Sequence, residues 1–224
     1  MIQESCPDIS RTIVRIIAEL ASEYYKMLVP NRQESSGEEY INYINDILHD
    51  ACTVRQTFSN YDFKIFTKFE DFNKQLYIKE KELELCRMLA GYAWEWKTKN
   101  DKTAYDIEIE GIGKRWNHCL NNWINSEGAL DEVGCIHTSA GYDLNYGFII
   151  LGKDIRYDET AKKIYVDRSS YFDKRGKQSA TDEELNEYIR NIYYVLMTRG
   201  IKGTYLYVCD DALREYFLNY VERF

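Results

Sequence analysis

Apolar residues recur at helical spacing in several stretches of this chain, and short unbroken apolar runs lie between them. Ile9, Ile13, Ile16, Ile17, Leu20, Tyr24, Met27 and Leu28 share one helical face. Asp8 can cap that segment and Pro30 forbids its continuation, so a helix is predicted over 9–28. Tyr40, Ile41, Ile44, Ile47 and Leu48 form the stripe of a second helix. Residues 63–66 alternate as a strand, and residues 69–84 return to helical spacing with Phe69, Phe72 and Leu76 inward. Residues 86–96 are too apolar for a surface element. Their centre reads as a buried strand over 88–93 whose end presents Trp94 and Trp96.

The next segment, 104–130, is the least legible: a short run from Tyr105, then Trp116 and Trp123 in a loop-rich stretch. Beyond it come strands at 133–136 and 148–151, joined by a polar loop with Gly141 at its centre. A hairpin-like insertion follows near 153–180, with strands at 155–157 and 164–166. Thr181 and Glu184 form a capping box ahead of Leu185, Tyr188, Ile189, Ile192, Tyr193 and Leu196, with Gly200 as the stop just past the helix. A strand at 205–209 and a helix at 213–220 close the pattern. Strands alternate with helices, and several strands are continuous apolar runs. That predicts an α/β domain with a mainly parallel sheet covered on both faces.

Composition narrows this picture. With 224 residues, 45% hydrophobic and 29% charged, the chain is sized for one domain with a real core. The six cysteines include no CxxC pair, which points away from a metal site and towards a reducing cytoplasm. The first residues lack the pattern of a signal peptide, and no apolar run reaches membrane-spanning length, so a cytoplasmic protein without membrane contact is expected. The net charge of −8 and the lack of a basic stripe argue against strong nucleic-acid binding by this chain alone. Its longest basic cluster, residues 174–177, reads as a solvated turn. The four tryptophans, Trp94, Trp96, Trp116 and Trp123, read first as core or seam packing and second as bases' stacking partners.

The densest chemistry surrounds Gly141, where His137, Thr138, Ser139, Tyr142, Asp143 and Asn145 crowd one loop between apolar strands. Such loops are where α/β proteins hold ligands. The segment from His137 to Asp143 resembles motif V of superfamily 1 helicases. The helix ending in Thr198 and Arg199, followed by Gly200 and a strand, resembles their motif VI. Together with residues 38–44, 89–96, 105–111 and 115–117, these motifs resemble the Schlafen group 3-like DNA/RNA helicase domain family over roughly 38–220.

That resemblance implies a three-layer, RecA-like domain of the P-loop NTPase type. Arg199 would be the catalytic arginine reaching a nucleotide's γ-phosphate; read from spacing alone, it is a cation that stabilises a helix terminus. Gly141, Tyr142 and Asp143 would meet the nucleotide, although Gly141 could equally serve a turn of positive φ and Asp143 a helix N-cap. His137 and Thr138 match positions that face nucleic-acid phosphates. No metal ligands are expected. The chain contains no Gly-x-x-x-x-Gly-Lys-Ser/Thr loop and no strand ending in a paired acid for Mg²⁺. The acidic pairs at 38–39, 183–184 and 210–211 read as helix starts. With the N-terminal helix read from spacing taken as a segment over 1–30, the resemblance implies, over 31–224, the second RecA-like half alone. ATP and Mg²⁺ would bind only with a first RecA-like domain, in cis or in trans, single-stranded nucleic acid would bind weakly or jointly, and the lone chain would have no ATPase activity. The family usually carries Gln where this chain has Ala140, which removes a polar sensor of the nucleotide. A non-catalytic interaction module and a subunit of a nuclease or defence system are the rival readings.

Overall fold

A computed structural model describes residues 36–119, 122–178 and 180–224. The helix expected over 9–28 lies outside the described residues.

Helix α1, Ser36–Leu48, buries Tyr40, Tyr43, Ile44, Ile47 and Leu48, the i, i+3, i+4, i+7, i+8 stripe of an amphipathic helix. Its two tyrosines also tie it to distant chain: Tyr40 Oη donates to Met197 O at 3.0 Å and Tyr43 Oη to Tyr220 O at 2.8 Å. After β1, Asp62–Phe66, comes α2, Phe69–Leu83, which turns Phe69, Phe72 and Leu76 inward as the spacing predicts. Its first amide is satisfied from elsewhere, by Glu110 Oε2 at 2.8 Å.

Strand β2, Cys86–Ala90, is buried on both faces. It ends at Ala90, earlier than expected, and Gly91 follows against Tyr193, where a Cβ would lie 2.7 Å from the hydroxyl. The stretch that sequence left as loop contains a hairpin, β3 Ile107–Ile109 and β4 Ile112–Trp116, turning on Glu110 and Gly111, both at positive φ. Trp123 then fills a fully buried site beneath β5, Glu132–Gly134, packing where a Cβ on Gly134 would otherwise sit. After the one-turn α3, Ile136–Ser139, strand β6 runs from Leu144 to Leu151. It is twice the expected length because Asn145, bonded to Leu85 O in the turn ahead of β2, and Gly147, paired with β2 and β9, belong to it.

The insertion forms as expected: β7, Ile155–Asp158, pairs antiparallel with β8, Lys163–Val166. The basic cluster read as a turn is instead a short helix, α4, Lys174–Gln178. Helix α5, Asp182–Met197, begins on the expected capping box, Glu184 N–Thr181 Oγ1 at 3.2 Å and Thr181 N–Glu184 Oε2 at 2.8 Å. Its C-cap is Thr198. Gly200 does not terminate it from a left-handed conformation; it is already the first residue of β9, Gly200–Val208. Helix α6, Asp211–Leu218, is capped by Asp210, and β10 is Glu222–Arg223.

The main sheet has the order β10-β1-β9-β6-β2-β5-β4-β3, with only the β3–β4 pair antiparallel. One face packs α1, α3, α5, α6 and the β7–β8 hairpin on Ile65, Leu89, Ile149, Leu151, Leu206 and Val208. The other packs α2 and the β3 side chains on Met88, Phe148, Ile150, Tyr205 and Tyr207. Burial on both faces is why the strands read as continuous apolar runs. Among the described residues, no helix is long and apolar enough to cross a membrane.

Candidate nucleotide and nucleic-acid interface

The polar loop is a crossover that runs the height of the sheet. Gly134 pairs with Leu89, and Leu89 pairs with Ile149, yet the chain re-enters the sheet at Leu144, five positions lower on β6. At about 3.3 Å per residue that is a descent of roughly 17 Å. Helix α3 stiffens it. Thr138 Oγ1 accepts from Cys135 N at 2.9 Å, and Ser139 Oγ donates to Cys135 O at 3.0 Å. Both hydroxyls face inward, and Thr138 is only 4% exposed. His137 is exposed and sits near the upper, C-terminal edge, its ring 6.2 Å from Tyr92. Desolvation by its neighbours pushes its imidazole below the usual value, against the pull of Asp173, which favours the neutral form. A neutral imidazole can hydrogen-bond a phosphate but adds no charge.

Gly141, Tyr142 and Asp143 lie at the opposite, N-terminal edge. Gly141 has φ +80° with open space around its α-carbon, so the position requires the conformation rather than close packing. Tyr142 Oη donates to Asn122 Oδ1 at 3.1 Å. Asp143 is half-buried and leads directly into β6, so the helix N-cap alternative does not apply.

Arg199 stands at the same edge, one strand over. Leu144 N donates to Arg199 O at 3.0 Å, which joins the end of the polar loop to the end of α5. The Arg199 side chain is 7% exposed, and its Nε donates to Val195 O at 3.2 Å in the last turn of that helix. Immediately beyond it, β9 carries a bulge: Leu144 pairs with Gly200 but Tyr146 pairs with Gly203. Glycine is needed at both ends of the bulge, since a Cβ on Gly200 would lie 2.0 Å from Gly203 O and one on Gly203 2.4 Å from Asp62 O. Beside the bulge opens a cavity of about 460 Å³ with Asp62, Lys64, Lys202 and Glu222 on its walls. Tyr61 closes one side, its Oη donating to Gly200 O at 3.1 Å.

The fold thus brings Gly141, Tyr142, Asp143 and Arg199 to one edge, sets His137 near the other, and buries Thr138 between them. Among the described residues, no group of three or more His, Cys, Asp or Glu side chains converges as metal ligands. Sequence reasoning missed a second cavity, of about 380 Å³, at the C-terminal ends of β2 and β4. Trp94, Trp96 and Trp116 share it; Trp123 does not. The signal that could have found it was the pair of tryptophans just beyond β2 together with the basic cluster at 174–177.

An α/β domain with a mainly parallel, eight-stranded sheet flanked by helices is consistent with a RecA-like domain. The chain matches the Schlafen group 3, DNA/RNA helicase domain family over residues 5–210, and it belongs to that family. It is 32% identical over 170 residues to the uncharacterized protein YPL245W of Saccharomyces cerevisiae, an alignment that covers 71% of this chain and 37% of that protein. The chain therefore spans little more than a third of the curated relative it matches. No solved structure matches it.

Proposed function

We propose that this chain acts as the second RecA-like half of a helicase-like ATPase and closes over ATP and Mg²⁺ held by a first RecA-like domain, in cis or in trans. Arg199 stabilises charge on the transferring phosphoryl group. The Gly141–Tyr142–Asp143 loop meets the nucleotide from the same edge, and the crossover that carries His137 and Thr138 couples this contact to single-stranded nucleic acid. The observation that carries the reading is the hydrogen bond from Leu144 N to Arg199 O, which keeps loop and arginine adjacent. To act, the guanidinium must leave Val195 O and reach outward, so the conformation described here is a retracted one. The test adds a first domain that carries both nucleotide-binding motifs and measures ATP hydrolysis with and without single-stranded nucleic acid. Hydrolysis should appear only in the mixture, and Arg199→Ala should lower it by about 10³-fold or more.

The retraction of Arg199, together with Ala140, favours one rival: a non-catalytic RecA-like module that holds a partner protein. That reading takes over if the mixture hydrolyses no ATP under any condition, or if Arg199→Ala leaves the rate unchanged.

A further inference from the structure

The second cavity has the build of a site for a flat ring. Trp116 and the half-buried Tyr92 and Trp94 line its inner part, while Trp96 and Phe172 stand 37% and 44% exposed at its mouth. Aromatic surface that is contiguous at one mouth and rimmed by charged residues is the kind that marks a ligand site, which single exposed rings elsewhere on the chain do not.

The rings are held in advance. Trp96 Nε1 donates to Thr98 Oγ1 at 3.0 Å, and Thr98 Oγ1 donates to Asp106 Oδ2 at 2.7 Å. The buried Asp106 carboxylate also accepts from Thr98 N at 2.8 Å and from Trp116 N at 2.7 Å. One carboxylate therefore fixes two of the walls. Trp94 packs across Gly152, where a Cβ would lie 3.0 Å from its ring. Phe172 N donates to Tyr92 O at 2.8 Å, which locks the mouth to the end of β2. Walls fixed this way lose little freedom when a ligand enters.

Charge decides which flat ligand fits. An aromatic enclosure can also take a quaternary ammonium group, which the ring faces attract. Here Lys99 and Lys174 share the cavity with one acid, Asp173. Lys99 Nζ lies 5.9 Å from the Trp96 ring centroid. Two ammonium groups at the mouth disfavour a cation and favour an aromatic ring that carries phosphate. We infer that this cavity binds a nucleobase, stacked on Trp96 and Phe172, with its phosphate met by Lys99 and Lys174. The same chemistry is presented by an unpaired base in a strand and by a free mononucleotide. The site lies at the sheet edge opposite Arg199. It shares with the proposed function only the encounter with nucleic acid, and a binding assay on this chain alone leaves the ATPase reading untouched.

The test titrates the chain with a labelled single-stranded oligonucleotide, an abasic strand of equal length, nucleoside monophosphates and a trimethyl-lysine peptide. Anisotropy reads affinity, displacement of the labelled strand reads the unlabelled ligands, and tryptophan quenching reads stacking. Base-bearing ligands should quench, and the abasic strand should bind at least fivefold more weakly. Trp96→Ala, with its fold checked by circular dichroism, should weaken binding about 5- to 150-fold. Changing Lys99 and Lys174 together to Ala should reduce the slope of log affinity against log salt by about 1.4 for a strand. Tighter binding of the strand assigns the site to nucleic acid, and equal or tighter binding of the monophosphate assigns it to free nucleotide; either supports the inference. Equal binding of the abasic strand, no effect of Trp96→Ala, or preference for the trimethyl-lysine peptide overturns it.

Discussion

The amide of Leu144 donates to the carbonyl of Arg199 at 3.0 Å, and this bond is where two distant sequence motifs become one surface. It is the first rung between β6 and β9, before the bulge shifts their register. The end of the polar loop and the end of α5 are therefore set by the same ladder that builds the core of the sheet.

Gly141 and Gly200 should respond to alanine for different reasons. At Gly141 a Cβ meets nothing within 4 Å, so Gly141→Ala costs only the left-handed conformation, about 1–2 kcal/mol, and Gly141→Asn costs less. At Gly200 the cost is a backbone collision, at the upper end of the roughly 1–3 kcal/mol of an overpacked site. Urea midpoints of the three variants give the order. Equal losses for Gly141→Ala and Gly141→Asn would refute the conformational account.

Arg199→Ala should also register in the lone chain. It removes the Nε bond to Val195 O and a cation from the end of α5, so a loss of about 1 kcal/mol is expected in chemical denaturation. Arg199→Lys should recover part of this through its charge.

Thr138→Val keeps the shape of the side chain but removes the acceptor for Cys135 N. An amide left unpaired in a buried site costs about 1–3 kcal/mol. Hydrogen exchange should locate the effect, with faster exchange at Cys135 and along α3 while the rest of the sheet stays protected.

Asp154 makes stability depend on pH in an unusual direction. Burial pushes its carboxyl up to about 7, although the Tyr193 hydroxyl, 2.6 Å away, pulls the other way. The folded chain therefore holds a proton that the unfolded chain releases near pH 4. This contribution is fully present below that pH and is lost as pH rises through about 7. Urea midpoints should fall between pH 5 and 8 for the native chain, and Asp154→Asn should flatten that dependence. An unchanged slope in Asp154→Asn would exclude this carboxyl as its source.

Much of this fold is legible in sequence wherever a residue's neighbours along the chain determine its state. The stripe from Tyr40 to Leu48, the capping box at Thr181 and the inward row of α2 follow from local spacing and hydrogen bonding. What escapes is set by partners distant in sequence. Glu110 and Gly111 form a hairpin turn without the usual Asn-Gly or Asp-Gly pair, with the Glu110 carboxylate bonded to Phe69 N and Tyr207 Oη. Gly147 belongs to a strand because β2 and β9 flank it, and Asn145 because the turn ahead of β2 holds it through Leu83 O and Leu85 O, not because either residue favours a strand. Gly200 reads as a helix stop, yet the reason for glycine there is the carbonyl of Gly203 across the bulge. For the candidate site, sequence supplied the residues at the Arg199 edge but not that the arginine side chain lies buried against Val195 O in the last turn of α5. It named three of the tryptophans at the other edge without showing that they share one cavity with the lysines.

The crossover between β5 and β6 has a mechanical consequence. Its upper end is near His137 and Tyr92, its foot is bonded to the carbonyl of Arg199, and inward hydroxyls brace the turn of helix between them. A segment built like this works as a connecting rod rather than a tether. It ties the two rims of the sheet together through one braced turn instead of a slack loop.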